Sequence, residues 1–139
     1  MHKKILHGLD GSESAYKALR EAIDLSKRYG AELHTISVEE MPRYPGTISE
    51  VVEEKVTANA VYGEVIARAR EMAKQEGVDL HSHVVVGHEV RTILEFIKQQ
   101  EVDLLVIGFM GHSALYERVM GGTCQGLVRL APCSVLVVK

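Results

Sequence analysis

The chain has 139 residues, 46% of them hydrophobic and 25% charged, with a formal net charge of -3. This is the size and balance of one globular domain with its own core, assigned here to residues 1–139. The weakly acidic balance and the lack of Trp argue against a nucleic-acid footprint, and no apolar run reaches the roughly 18 residues of a membrane span.

The segment that opens the chain, Met1-His2-Lys3-Lys4-Ile5-Leu6, has neither an apolar core nor a small-residue cleavage site, so a cytoplasmic location is expected. Lys4 to Leu9 reads as a first strand. Asp10-Gly11-Ser12 is a turn, with Ser12 placed to cap a helix whose apolar stripe is Ala15, Ala18, Leu19, Ala22 and Ile23. Gly30 stands where a left-handed stop is expected. Leu33 to Val38 reads as a second strand. Pro42, Pro45 and Gly46 then exclude a regular element.

Thr47-Ile48-Ser49-Glu50 fits a capping box opening a long helix to about Glu76, with Gly77 as its stop. Its stripe is Val61, Val65, Ala69, Met72 and Ala73, and Gly63 is a local cost within it. Leu80 to Val86 is a third strand. His81 and His83 alternate on one face of it, a spacing that two metal ligands can use, but no third His or Cys lies near them in sequence. Val90, Ile93, Leu94 and Ile97 mark a third helix, and Val102 to Ile107 a nearly continuous apolar fourth strand. A glycine-punctuated stretch, Gly108 to Gly122, leads into a short helix that Ala131-Pro132 ends, and Ser134 to Val138 is a fifth strand. Five strands alternating with helices call for an open parallel sheet covered on both faces. Cys124 and Cys133, eight residues apart, match no zinc or redox spacing and read as reduced thiols.

Phosphate loops of the G-x-x-x-x-G-K-[ST] type, the G-x-G-x-x-G fingerprint and the G-x-S-x-G elbow are all missing. The informative run is Gly108-Phe109-Met110-Gly111, nine residues, then Gly121-Gly122-Thr123. It starts at a strand end and finishes at a helix N-terminus, where glycines allow close approach and free N–H groups favour anions. Glycine turns of this kind also occur without a ligand.

That spacing resembles the nucleotide motif of the ATP-binding universal stress proteins: glycine, two residues, glycine, nine residues, glycine, then serine or threonine. Leu9-Asp10-Gly11-Ser12-Glu13, Val85-Val86-Gly87 and Ala131-Pro132-Cys133-Ser134-Val135-Leu136-Val137-Val138 extend the resemblance over essentially the whole chain. One position departs from it. Gly122 stands where the family has a hydroxyl, with Thr123 one residue later, which puts phosphate affinity rather than fold in question.

The resemblance implies strand order 3-2-1-4-5 and hence a ligand site between the carboxyl ends of the first and fourth strands. It implies that Asp10 and Val38 line the adenine and ribose side and that Gly87 lets the third strand end approach. Gly108, Gly111, Gly121, Gly122 and Thr123 would hold ribose and phosphates. ATP is the implied cofactor. Mg²⁺ joins it because no Lys or Arg obviously offsets the phosphates. The resulting expectation is an ATP-binding, stress-related regulatory module with slow or no hydrolysis. It would act on an unidentified protein partner, as a homodimer paired through the unblunted, apolar fifth strand. Two alternatives stay open: an enzyme that cleaves adenine nucleotides, and a dimeric family member that binds none.

Overall fold

The computed structural model describes residues 2–40, 48–109 and 122–139, with residues 48–61 described by backbone alone. In chain order the elements are β1 (Lys4–Gly8), α1 (Glu13–Tyr29), β2 (Glu32–Glu40), α2 (Ile48–Gln75), β3 (Leu80–Gly87), α3 (Glu89–Gln100), β4 (Leu104–Gly108), α4 (Gly122–Leu130) and β5 (Ser134–Val138). The strands form one parallel sheet in the order β3-β2-β1-β4-β5, as expected.

Alternation along the strands divides the core in two. Ile5, Leu9, Leu33, Leu104 and Val106 face α1 and the end of α2, where Leu19, Ala69 and Ala73 are fully buried. Leu6, Ile36, Leu105 and Ile107 face α3 and α4, meeting Ile93, Ile97 and Leu127. Strands covered on both sides are apolar on both sides, which is why β4 reads as a continuous run.

Helix ends follow their local chemistry. The Ser12 side chain accepts from the Ala15 N–H at 3.1 Å, and Gly30 closes α1 at φ 63°. Gly77 lies beyond α2 at φ 69°. The capping box at Thr47 and the Val61 side chain lie outside the described residues. Of the remaining α2 stripe, Ala69 and Ala73 are buried, and Val65 and Met72 pack against the same cluster.

Several strand ends differ by one or two residues from the sequence reading. β2 runs on to Glu40, because β3 pairs with it all the way to Gly87. β4 begins at Leu104, not Val102. The Val102 N–H closes the end of α3 on the Ile97 carbonyl, and the Asp103 carboxylate accepts from the Lys3 N–H at 2.7 Å. Val102 and Asp103 are thus a helix stop and a clasp before the ladder begins.

Candidate functional site

β1 and β4 are adjacent, and the chain leaves them toward opposite faces of the sheet. Their carboxyl ends therefore splay and leave a crevice. A cavity of about 420 Å³ fills it. Ile36, Ile93, Ile107 and Leu127 form an apolar floor, and the rim is polar.

The first wall is the β1–α1 turn. The Asp10 Oδ1 accepts from the Ser12 N–H at 2.9 Å, closing a turn in which Gly11 adopts φ 85°. The Leu9 N–H donates to the Ile36 carbonyl at 2.9 Å, and the Ser37 hydroxyl donates to the Leu9 carbonyl at 2.7 Å. These bonds lock the turn to β2, so Asp10 is held at the cavity edge by backbone geometry. Its carboxylate serves the turn and the rim together.

The second wall is the end of β2, with Val38, Glu39 and Glu40. The Tyr62 hydroxyl of α2 donates to the Val38 carbonyl at 3.2 Å, bringing a phenol to the rim. Glu39 Oε2 is buried without a hydrogen-bond partner among the described residues. A buried acceptor left unmade is costly, so this atom is poised for a donor or a cation brought by a ligand.

The third wall joins α3 and α4. The Thr123 hydroxyl donates to Glu89 Oε2 at 3.2 Å, and the Glu89 N–H donates to Glu40 Oε1 at 3.1 Å. Burial pushes the Glu89 carboxyl above the ordinary carboxylate range; the Thr123 bond opposes the rise, and the charges of Asp10 and Glu40 add to it. Burial likewise raises the Tyr62 phenol, helped by Glu89, Asp10, Glu39 and Glu40. Four carboxylates thus converge on one mouth, and no Lys or Arg is among the described residues that line it.

The residues singled out from sequence divide as follows. Asp10, Val38, Gly108 and Thr123 line the cavity. A Cβ on Gly108 would lie 2.5 Å from Ser14 Oγ and 2.8 Å from the Ser14 carbonyl oxygen, so the first turn of α1 demands that glycine. Gly87 ends β3 outside the lining residues, and a Cβ there would lie 2.6 Å from Thr92 Oγ1. Gly122 opens α4, and among the described residues no atom lies within 4 Å of a Cβ there. Gly111 and Gly121 lie outside the described residues. Glu39, Glu40, Tyr62 and Glu89 were not anticipated. The nearest sequence signal was the acidic first turn of α3, which reads equally well as dipole compensation.

Known proteins share this fold. The model of the universal stress protein family matches residues 1–139. The chain belongs to the universal stress protein family. A universal stress protein of Methanocaldococcus jannaschii is 29% identical over 147 residues, covering 100% of this chain and 83% of the relative. The solved universal stress protein UspA from Lactobacillus plantarum superposes with a TM-score of 0.86 at 29% identity, over 99% of this chain and 98% of its own. A universal stress protein crystallised in complex with cAMP superposes with a TM-score of 0.78 at 25% identity, over 99% and 97% of the two chains.

Proposed function

We propose that this universal stress protein binds an adenine nucleotide, ATP with Mg²⁺, in the switch-point cavity, and that binding rather than turnover is its function. The observation that carries the reading is the cavity itself. It pairs an apolar floor suited to a purine with a rim holding a Glu39 oxygen that has no partner among the described residues, a suitable acceptor for an amino or hydroxyl donor. The cAMP complex of a relative at 25% identity supports the same ligand class.

Asp10 and Val38 would take the base and ribose side. Gly108, the first turn of α4 at Gly122 and Thr123, and the glycines Gly111 and Gly121 would take the phosphates. Four rim carboxylates repel a triphosphate, so a divalent cation would be part of the complex. That acidity also favours a second reading, in which the ligand is a monophosphate or cyclic nucleotide of lower charge.

With the nucleotide at about 100 times its dissociation constant, the fold gains roughly 2.7 kcal/mol. Thermal unfolding with ATP and Mg²⁺, and in parallel with AMP and cAMP, tests the reading. No shift with any of the three at millimolar concentration removes it, and hydrolysis faster than about 1 s⁻¹ turns it into an enzyme.

The regulatory unit is proposed to be a homodimer paired through β5, with signalling to a protein partner. β5 is a sheet edge, and Leu136 is 36% exposed on it. The Phe109 N–H donates to the Val138 carbonyl at 2.9 Å, so Val138 points its backbone groups at β4 and Val137 points its own outward. Val137→Pro therefore removes a donor from the free edge and should yield monomer or aggregate. Light scattering checks this, and a parent chain that is monomeric at tens of micromolar contradicts it.

A further inference from the structure

The amino-terminal end of the same sheet carries a second cluster of chemistry, unrelated to the cavity. In the β2–β3 ladder His34 pairs directly with His81, and His83 lies two residues further along the same face. Glu32 precedes His34 by two and shares its face. The cluster lies on the α3 side, where Phe96 packs its ring 4.8 Å from His83. His34 is held from both sides. Its Nε2 is 2.7 Å from Glu32 Oε1, and its Nδ1 is 2.9 Å from His83 Nε2. The His34 ring stacks on His81 with centroids 4.7 Å apart. One ligand atom from each of Glu32, His34 and His81 falls within a 4.8 Å group.

We propose that Glu32, His34 and His81 form a binding site for a divalent transition-metal ion, Zn²⁺ being the best match, with His83 as the residue that orients His34. The donor set decides the class of ion. Two imidazoles and one carboxylate are a known three-ligand zinc set, which leaves a fourth position for water, and they are a poor set for Mg²⁺ or Ca²⁺, which favour oxygen. The spacing is close. Tetrahedral ligands at about 2.1 Å from zinc stand roughly 3.4 Å apart, so the group has to contract by little more than 1 Å.

The side chains divide that work unequally. His34 is only 8% exposed and already fixed, whereas Glu32 is 48% exposed and His81 is exposed, so the two outer ligands are free to swing inward. Ion binding at His34 Nε2 takes the place of the proton facing Glu32. The ring N–H then resides on Nδ1, where His83 Nε2 accepts it. Ligating imidazoles are commonly held in this way through their second nitrogen.

The site is independent of the nucleotide. His34 and Glu40 stand six residue steps apart along β2, about 20 Å at 3.3 Å per residue. An ion here ties β2 to β3, the strand at the sheet edge opposite β5.

The test uses the tag-free, metal-stripped 139-residue chain, titrated calorimetrically with ZnCl₂ and spectroscopically with CoCl₂. The expected result is one ion per chain and visible absorption typical of tetrahedral Co²⁺. His81→Ala and Glu32→Gln, both at exposed positions, should each abolish the one-to-one event. His83→Ala should weaken it about 10- to 100-fold, as loss of an orienting partner does. Asp10→Asn, at the other end of the sheet, should leave it intact. Three results overturn the proposal: zinc binding no tighter than roughly 1 mM in the parent, binding that survives both His81→Ala and Glu32→Gln, or binding that falls in Asp10→Asn alone, which would place the ion at the nucleotide mouth.

Discussion

The two ends of β2 answer the same question differently. At its carboxyl end, Val38, Glu39 and Glu40 open onto a cavity that the strand order creates, and the Glu39 Oε2 acceptor there has no partner among the described residues. At its amino end, Glu32 and His34 meet His83 and satisfy one another across two strands. The first end is shaped by topology and left unfinished. The second is shaped by side chains brought into register and is already nearly closed. A shaped gap with an orphaned acceptor points to a ligand of some size, whereas a compact group of donors points to an ion.

The largest expected effect attacks the carboxyl end. Gly108→Val drives a side chain into the backbone of Ser14, 2.8 Å from a Cβ at that position. It should cost about 3 kcal/mol, in the range of overpacked cores, and remove nucleotide binding with it. Urea unfolding followed by calorimetry separates the two losses.

Acid should act on a group beneath the turn. His7 is fully buried, with Nδ1 2.9 Å from the Val106 carbonyl, and burial lowers its pKa from 6.5 to about 4 despite that bond. The folded state holds the neutral ring. Stability is therefore complete above pH 6.5 and is lost as pH falls toward 4, where the unfolded chain binds the extra proton. At about 1.4 kcal/mol per unit the loss is roughly 3 kcal/mol. Unfolding free energies of the parent and of His7→Leu between pH 7 and 4 check it, because the variant should show a flatter slope.

A smaller effect is expected from Asp10→Ala. The turn loses the bond to the Ser12 N–H, worth about 1 kcal/mol, and nucleotide affinity should drop about tenfold or more. Equilibrium binding of parent and variant gives the ratio. The smallest effect is Gly122→Ala. Among the described residues nothing lies within 4 Å of a Cβ there, so stability should stay within about 0.5 kcal/mol. Normal ATP binding in that variant would show that the phosphates need only the backbone at this point.

Much of the scaffold was legible in advance because its signals are local. Ser12, Gly30 and Gly77 announce helix ends by their own conformational chemistry, and the apolar run of β4 announces burial on both faces. The glycine motif begins at Gly108, which lines the cavity at the carboxyl ends of β1 and β4. What the sequence concealed depends on register. Glu89 looks like an ordinary acid in a first helical turn until the fold sets it against Thr123 and Glu40. Tyr62 reaches Val38 from 24 residues away. His81 and His83 lacked a third ligand in sequence, yet β2–β3 pairing delivers His34 and Glu32 from nearly fifty residues upstream. Gly87 shows a second demand that only the fold reveals, its close approach to Thr92 of α3.

The most direct test of nucleotide binding at the cavity is a backbone ¹H–¹⁵N spectrum of the labelled chain titrated with ATP and Mg²⁺. Shifts should concentrate at Leu9 to Ser12, Val38 to Glu40, Gly108 and Gly122 to Cys124, and saturate at one nucleotide per chain, while Glu32 to His34 and His81 to His83 stay in place. An unchanged spectrum at millimolar ATP, or shifts confined to the histidine end of the sheet, would contradict it.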